Sequence, residues 1–462
     1  MQKKIMLSAF ALVALTACGG SSTSSIIRRD LQWENPFAGT ANETVTLSVW
    51  AGSTTESMGF ANAVLEDFKK ANPDSNYEIK LKAVSESSVN GDWANDPKQA
   101  ADFAICADDQ MPQLIASNYL QKIKVLDAEI PGLSAAIESR NDADSVEASK
   151  SKGDLYGFPV SSSNGYVLYY NSDLLKESDC ASFETLLAAI KAAGEKDGKK
   201  YTFGFPHASG WYLDGYFHGA GFTATGEADG DTITANWHTQ NEAGLKGVDV
   251  AASLVRLAHG QYKDQWLSEK EATLVSRAAK GVSGRVIATI NGTWNYKALQ
   301  KAWGESACSA TLLPKFTVSA GQEFRMHTVK GSKIGVLNRS SQHVKEAARF
   351  AEFFTNYSSQ VMRFDNLGET PSNKESLKIC DLNTNACLKA MAEQRVVGGF
   401  VEKVNPAFWN PANALSTNLC AGNAGKEHSF ITSGEGTAEL VLNMEEIQAA
   451  LDACNAGFTK GN

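Results

Sequence analysis

The sequence predicts an α/β protein built in two lobes, and three observations carry that prediction. Short β-branched or apolar runs alternate with stretches whose apolar residues recur at helical spacing. Such alternation marks parallel βαβ units, with helices covering both faces of a sheet. After a leader at residues 1–17, about 440 residues remain, enough for two domains or one elaborate two-lobed unit. The run DLYGFPVSSSNGYVLYYNSDLL breaks at Pro159 and Ser161–Asn164 and resumes as YVLYYN, as expected where a chain passes between lobes.

The first residues set the compartment. Lys3 and Lys4 form a positive start, Ile5 to Leu15 an apolar stretch, and small residues follow up to Cys18. That is an export signal too short to span a bilayer. Leu15-Thr16-Ala17-Cys18 followed by Gly-Gly resembles a bacterial lipobox, which implies cleavage before Cys18 and diacylglycerol on its thiol. No later segment is apolar for long enough to cross a membrane, so the expectation is an exported chain anchored to a bilayer by lipid. Residues 18–43, Cys18 followed by GGSSTSS, read as the lipidated cysteine and a flexible tether.

Composition narrows the partners. A hydrophobic content of 43% is ample for a core. A net charge of −9, spread along the chain, argues against nucleic acid and anionic membrane surfaces as partners. Besides Cys18 there are Cys106, Cys180, Cys308, Cys380, Cys387, Cys420 and Cys454. Export makes disulfides the default, with Cys380–Cys387 around the loop-like DLNTNA and Cys420–Cys454 as the expected pairs. No CxxC or neighbouring histidine pair exists, so no metal site and no cofactor are expected.

Ordered structure begins at Thr44, where TVTLSVW alternates as a strand. Phe60, Val64, Leu65 and Phe68 then mark a helix that stops at Asn72-Pro73. Tyr77–Val84 is a second strand, and ADFAICADD a third with Asp108-Asp109 at its exit. Beyond the break at Ser161–Asn164 come the helix FETLLAAIKAAGEK, the strand YTFGFP, the helical WYLDGYFHGAGF and the long helix GLKGVDVAASLVRLAHG. Val286–Ile290 is a buried strand that Asn291-Gly292 should end as a turn, with Trp294 and Tyr296 opening a helix. TVKGSKIGVL is a further strand, QHVKEAARFAEFFTNYSSQVMRFD one amphipathic helix, and a helical region follows the break at NLGETPS.

Flat aromatic faces at a strand-to-helix turn suit ligand binding, because ligands of open α/β sheets sit beyond the carboxyl ends of the strands. The order of elements also resembles a family. TVTLSVW, DFAICADD, DLYGFP with LYYNSDLL, INGTWNY and AFWN together look like the bacterial extracellular solute-binding lipoproteins of ABC importers, maltose- and oligosaccharide-binding class. These marks run from about Thr44 to Ala456. The resemblance implies the two-lobed α/β periplasmic-binding-protein fold with several interlobe crossings. One lobe would hold residues 44–160 and 330–367, the other 165–324 and 372–462, with hinges near 161–164, 325–329 and 368–371.

Carried over residue by residue, the resemblance makes Trp294 the aromatic on which a sugar ring stacks. Trp211, Tyr212 and Trp409 fall at further aromatic positions of the cleft, and Asp108 and Asp109 at the polar positions of the amino-terminal lobe. Tyr296 and Asn164 are secondary ligand candidates, and Cys106 stands where the maltose binder has a tryptophan. The expected partners are a sugar or oligosaccharide and ABC permease subunits with their ATPase, and the chain is expected to act as a monomer.

The chemistry stands apart from the family. A sugar ring has an apolar face of C–H groups and a rim of hydroxyls, so aromatic planes suit the one and carboxylates the other. An exported glycoside hydrolase would also show aromatics and acids, but Asp108 and Asp109 are sequence neighbours, ill placed to flank one bond. No GxSxG, HExxH or phosphate-loop pattern is present. A ferric-ion binder needs clustered tyrosines, and of Tyr169 and Tyr170 only one can reach a given face of a strand.

Overall fold

Two five-stranded sheets, each with its own core, organise the chain. In this computed structural model the described residues are 26–31, 33, 35–39, 43–97, 100–227, 230, 232–318, 321–422 and 429–459. The leader at 1–17 and Cys18 lie outside them. No helix among the described residues is long and apolar enough to cross a membrane.

The first sheet runs Tyr77–Lys82, Val45–Trp50, Phe103–Ala107, Gly331–Leu337, Gly157–Asn164. The second runs Trp266–Glu269, Tyr201–Pro206, Arg285–Gly292, Tyr166–Asn171, Cys308–Thr311. Both repeat one pattern: three parallel strands, then a strand antiparallel to both its neighbours. The antiparallel strand departs from the expected parallel sheet for a topological reason. A parallel neighbour needs a crossover helix, whereas Tyr166–Asn171 and Gly331–Leu337 each enter straight from the other lobe. Gly157–Asn164 ends in the first sheet one residue before Tyr166 opens the second, and Thr328–Val329 precedes the return at Gly331.

Helices cover the sheets as the periodicity requires. Phe60, Val64 and Phe68 of Thr55–Ala71 are buried, and Phe68 meets Phe350 edge-on at 5.1 Å. The predicted helix QHVKEAARFAEFFTNYSSQVMRFD is two, Val344–Phe354 and Tyr357–Leu367. Asn356 breaks it by accepting from Ser359 N at 3.2 Å, a cap that helical periodicity hides.

Three expectations need correction. Part of the span expected as a flexible tether is docked. Trp33 stacks on Phe353 at 4.8 Å and 12°, and Arg29 grips Asp365 through two bonds of 2.8 and 2.7 Å. An apolar ring and a bidentate ion pair offset the entropy of ordering these residues. The third passage between lobes also comes later than 368–371. Helix Lys374–Ile379 still packs on Tyr357–Leu367, with Ser376 Oγ donating to Tyr357 O at 2.9 Å. The next helix, Ala386–Gly398, packs on the second sheet.

The expected disulfides are the third correction, because all seven cysteines of the described residues are free. Cys380 packs among Val361, Phe364 and Leu388, whereas Cys387 turns to Tyr169 of the second sheet, 3.0 Å from its hydroxyl. Cys420 and Cys454 lie in one core, where they fill apolar space as small hydrophobes.

Candidate functional site

The site is built at the carboxyl ends of the second lobe's parallel strands. Arg285–Gly292 does not turn at Asn291-Gly292 as expected but stays a strand through Gly292, then forms the short turn Thr293–Asn295. Asn291 is wholly buried and its Oδ1 accepts from Gly292 N and Asn295 Nδ2 at 2.9 and 2.7 Å. Glycine is needed at 292 because the Trp294 ring folds back over it: a Cβ there would lie 2.2 Å from the ring.

Trp294 is 47% exposed, and its ring stacks on that of Trp211, with centroids 5.4 Å apart at 29°. Its Nε1 donates to Glu271 Oε2 at 3.1 Å. Glu271 opens the helix that follows strand Trp266–Glu269, and its other oxygen accepts from Tyr212 at 2.8 Å. Burial raises the Glu271 pKa, against the hydrogen bonds from Tyr212 and Trp294 that lower it. The composition of that segment gave no sign of this residue; only its place beyond a parallel strand points to it.

Trp211 lies on the helix Gly210–Gly219, edge-on to Tyr166 at 4.8 Å. Tyr212 is a correction. One residue further round the same helix, it is 0% exposed and serves as a donor to Glu271 beneath the rings. Trp409 is half-buried and opens the helix Trp409–Ala421. That helix packs on the one bearing Trp211: Gly210 N donates to Asn413 Oδ1 at 2.6 Å, and a Cβ on Gly210 would reach 2.5 Å from Ala412. Tyr296, the secondary candidate, is half-buried and stacks on Tyr169 at 5.9 Å, with its pKa pushed up to about 12 by burial. Tyr169 and Tyr170 pack in separate cores on opposite faces of their strand.

The interlobe crossing joins the two halves. Thr293 Oγ1 donates to Ser163 O at 2.6 Å and Thr293 N to Gly165 O at 3.0 Å. Between these two residues, Asn164 Nδ2 donates to Asp108 Oδ1 at 3.3 Å. The first lobe's Asp108 and the turn carrying Trp294 thus hold three consecutive residues of the crossing, Ser163 to Gly165. Asp108 also accepts from Ser332 N at 2.9 Å, and burial, then Asp109, raises its pKa to about 7. Asp109 Oδ1 is buried without a hydrogen bond.

Asp108 lines a cavity of about 650 Å³ between the lobes. Met111, Ile115 and Lys150 line it from the first lobe, and Thr225, Glu227 and Glu402 from the second. The three tryptophans are not in its wall, so the aromatic platform and the polar cavity are separate parts of the cleft. Lys403 spans it to Glu147 at 3.0 Å, and Arg395 reaches Asp144 at 3.3 Å.

Residues 63–389 match the family model of bacterial extracellular solute-binding proteins. The chain belongs to that family. Among curated proteins the sequence finds no match. Solved structures show the fold. The maltodextrin-binding protein MalE1 of L. casei BL23, without ligand, aligns at a TM-score of 0.70 and 19% identity, over 90% of this chain and 99% of that one. A cyclo/maltodextrin-binding protein complexed with maltotetraose aligns at 0.66 and 20%, over 91% and 98%. The maltose/maltodextrin-binding domain MalE of Bdellovibrio bacteriovorus, bound to maltotriose, aligns at 0.67 and 17%, over 90% and 98%. This solute-binding protein therefore has the two-lobed α/β periplasmic-binding-protein fold, with its aromatic platform beside the crossing strand.

Proposed function

We propose that this solute-binding protein captures a sugar, most simply an oligosaccharide, between its lobes and delivers it unaltered to an ABC permease. The observation that carries the reading is the Trp294–Trp211 stack. An indole 47% exposed, fixed at its nitrogen by Glu271, presents a pre-set apolar plane of the kind a sugar ring covers. Trp409 extends the apolar surface of the same lobe, and the carboxylates of the cavity accept from the hydroxyl rim. The maltotetraose and maltotriose ligands named for the structural neighbours agree with this class.

Ligand contacts from both lobes would favour the closed arrangement, with the passages at 161–164 and 325–329 as hinges. Diacylglycerol on Cys18 would keep the protein at the outer face of its membrane, as a monomer facing the permease. A thermal-shift screen against mono- and oligosaccharides, followed by calorimetry, tests the reading, because a ligand that binds only the native state raises its apparent stability. A panel of maltodextrins and other saccharides that neither shifts melting nor releases heat would refute it.

A further inference from the structure

On and behind the wall of the polar cavity lie acids with buried carboxyl oxygens that accept no hydrogen bond. Tyr166 stands edge-on to Trp211, and its hydroxyl lies in the field of Asp214 and Glu402. Glu402 lines the cavity from the second lobe as Asp108 does from the first. Its Oε1 is buried and accepts no hydrogen bond, and the same holds for Asp109 Oδ1. Asp214 is wholly buried, and neither of its oxygens accepts one. His218 Nε2 stands 3.8 Å from Asp214 Oδ1, beyond hydrogen-bonding reach, with its ring flat on Phe400. Burial, then Asp214, Asp109 and Asp108, holds the Glu402 carboxyl well above the usual range, so the four acids act on one another.

Nearby basic groups have other partners. Lys403 pairs with Glu147 at 3.0 Å and Lys150 with Glu138 at 2.9 Å. Arg395 bonds Asp144 and the carbonyl of Ser162 at 3.3 and 2.8 Å. A buried carboxyl with no donor is costly, and a group of them costs more through mutual repulsion. A neutral hydroxyl satisfies one oxygen but does nothing to offset the cost of ionising these acids. An ammonium brings three donors and an opposite charge at once.

We propose that the cleft selects a saccharide carrying a basic amino group, with its ammonium seated against Glu402 in the cavity that Asp108 lines from the other lobe. The proposal rests on the sugar-binding reading and names the chemistry that would distinguish the true ligand from a neutral sugar of the same shape.

Calorimetry on the full chain with matched pairs tests it: maltotriose against its 6-amino-6-deoxy form, and cellotriose against the glucosamine trimer. The amino member of at least one pair should bind about tenfold more tightly at low salt, with the advantage shrinking as salt rises. Glu402→Gln should bring that ratio close to one, and Asp108→Asn serves the same purpose should the first variant fail to fold. Neutral sugars that bind while their amino partners bind no more tightly would overturn the proposal alone. So would a ratio unchanged in both variants. Failure of every sugar, aminated or neutral, would overturn the sugar reading and this proposal together.

Discussion

Trp294 Nε1 donates to Glu271 Oε2 across 3.1 Å, so a carboxylate from a separate helix fixes the angle of the most exposed indole in the cleft. Tyr212, buried beneath, holds the other carboxylate oxygen at 2.8 Å. The platform is thereby set before any ligand arrives, which lowers the entropy cost of stacking.

Trp294→Ala should weaken sugar binding by about 2 kcal/mol, near thirtyfold, as truncating an aromatic anchor commonly does. Because the ring is 47% exposed, the melting temperature should hardly move. Calorimetry and circular dichroism check both halves, and an unchanged affinity would take Trp294 out of the site.

Glu271→Gln should weaken binding about fivefold in the wild-type background and have almost no effect once Trp294 is alanine. Residues that act through one another give non-additive double-mutant cycles. Additive losses would show that Glu271 acts independently of the ring.

Gly292→Ala should lower affinity without straining the backbone, since φ at 292 is −67°, open to any residue. The added methyl would sit 2.2 Å from the Trp294 ring and force it off its plane. A shifted tryptophan emission spectrum in the free protein, together with weaker binding, is the expected pair of results.

Asp108 predicts a pH dependence. Its folded pKa of about 7 lies above the ordinary 3.8, so the folded chain holds the proton more tightly than the unfolded one. The group therefore favours folding most below pH 4, and that contribution is lost as pH rises through 7. Urea midpoints of the wild type measured against Asp108→Asn should fall across that window; parallel curves would show that Asp108 titrates normally.

Trp33→Ala should cost about 1–2 kcal/mol of stability by removing the stack on Phe353 at 4.8 Å, read as a lower urea midpoint with binding unchanged. An unchanged midpoint would return that stretch to a tether.

Much of the architecture was legible because periodicity reports which face is buried. TVTLSVW, YTFGFP and Val286–Ile290 are strands, and Phe60, Val64 and Phe68 face a core. Trp294 was legible for another reason: it is a large aromatic just past a strand end, where ligands of open α/β sheets sit. Neighbours in sequence told less. Trp211 and Tyr212 look alike as letters, yet one helical step leaves the first part-exposed and buries the second completely.

The sequence by itself determined the alternation of strands and helices, since this follows from local patterns of polarity, while its resemblance to a family supplied the plan of interlobe crossings and most of the aromatics worth testing. Only the tertiary structure decided that Glu271 holds Trp294, that Asp108 and Thr293 meet at one crossing strand, and that Cys380 and Cys387 part company. Those relations join residues far apart along the chain, and polarity at one position carries no record of which distant partner will fill the space beside it.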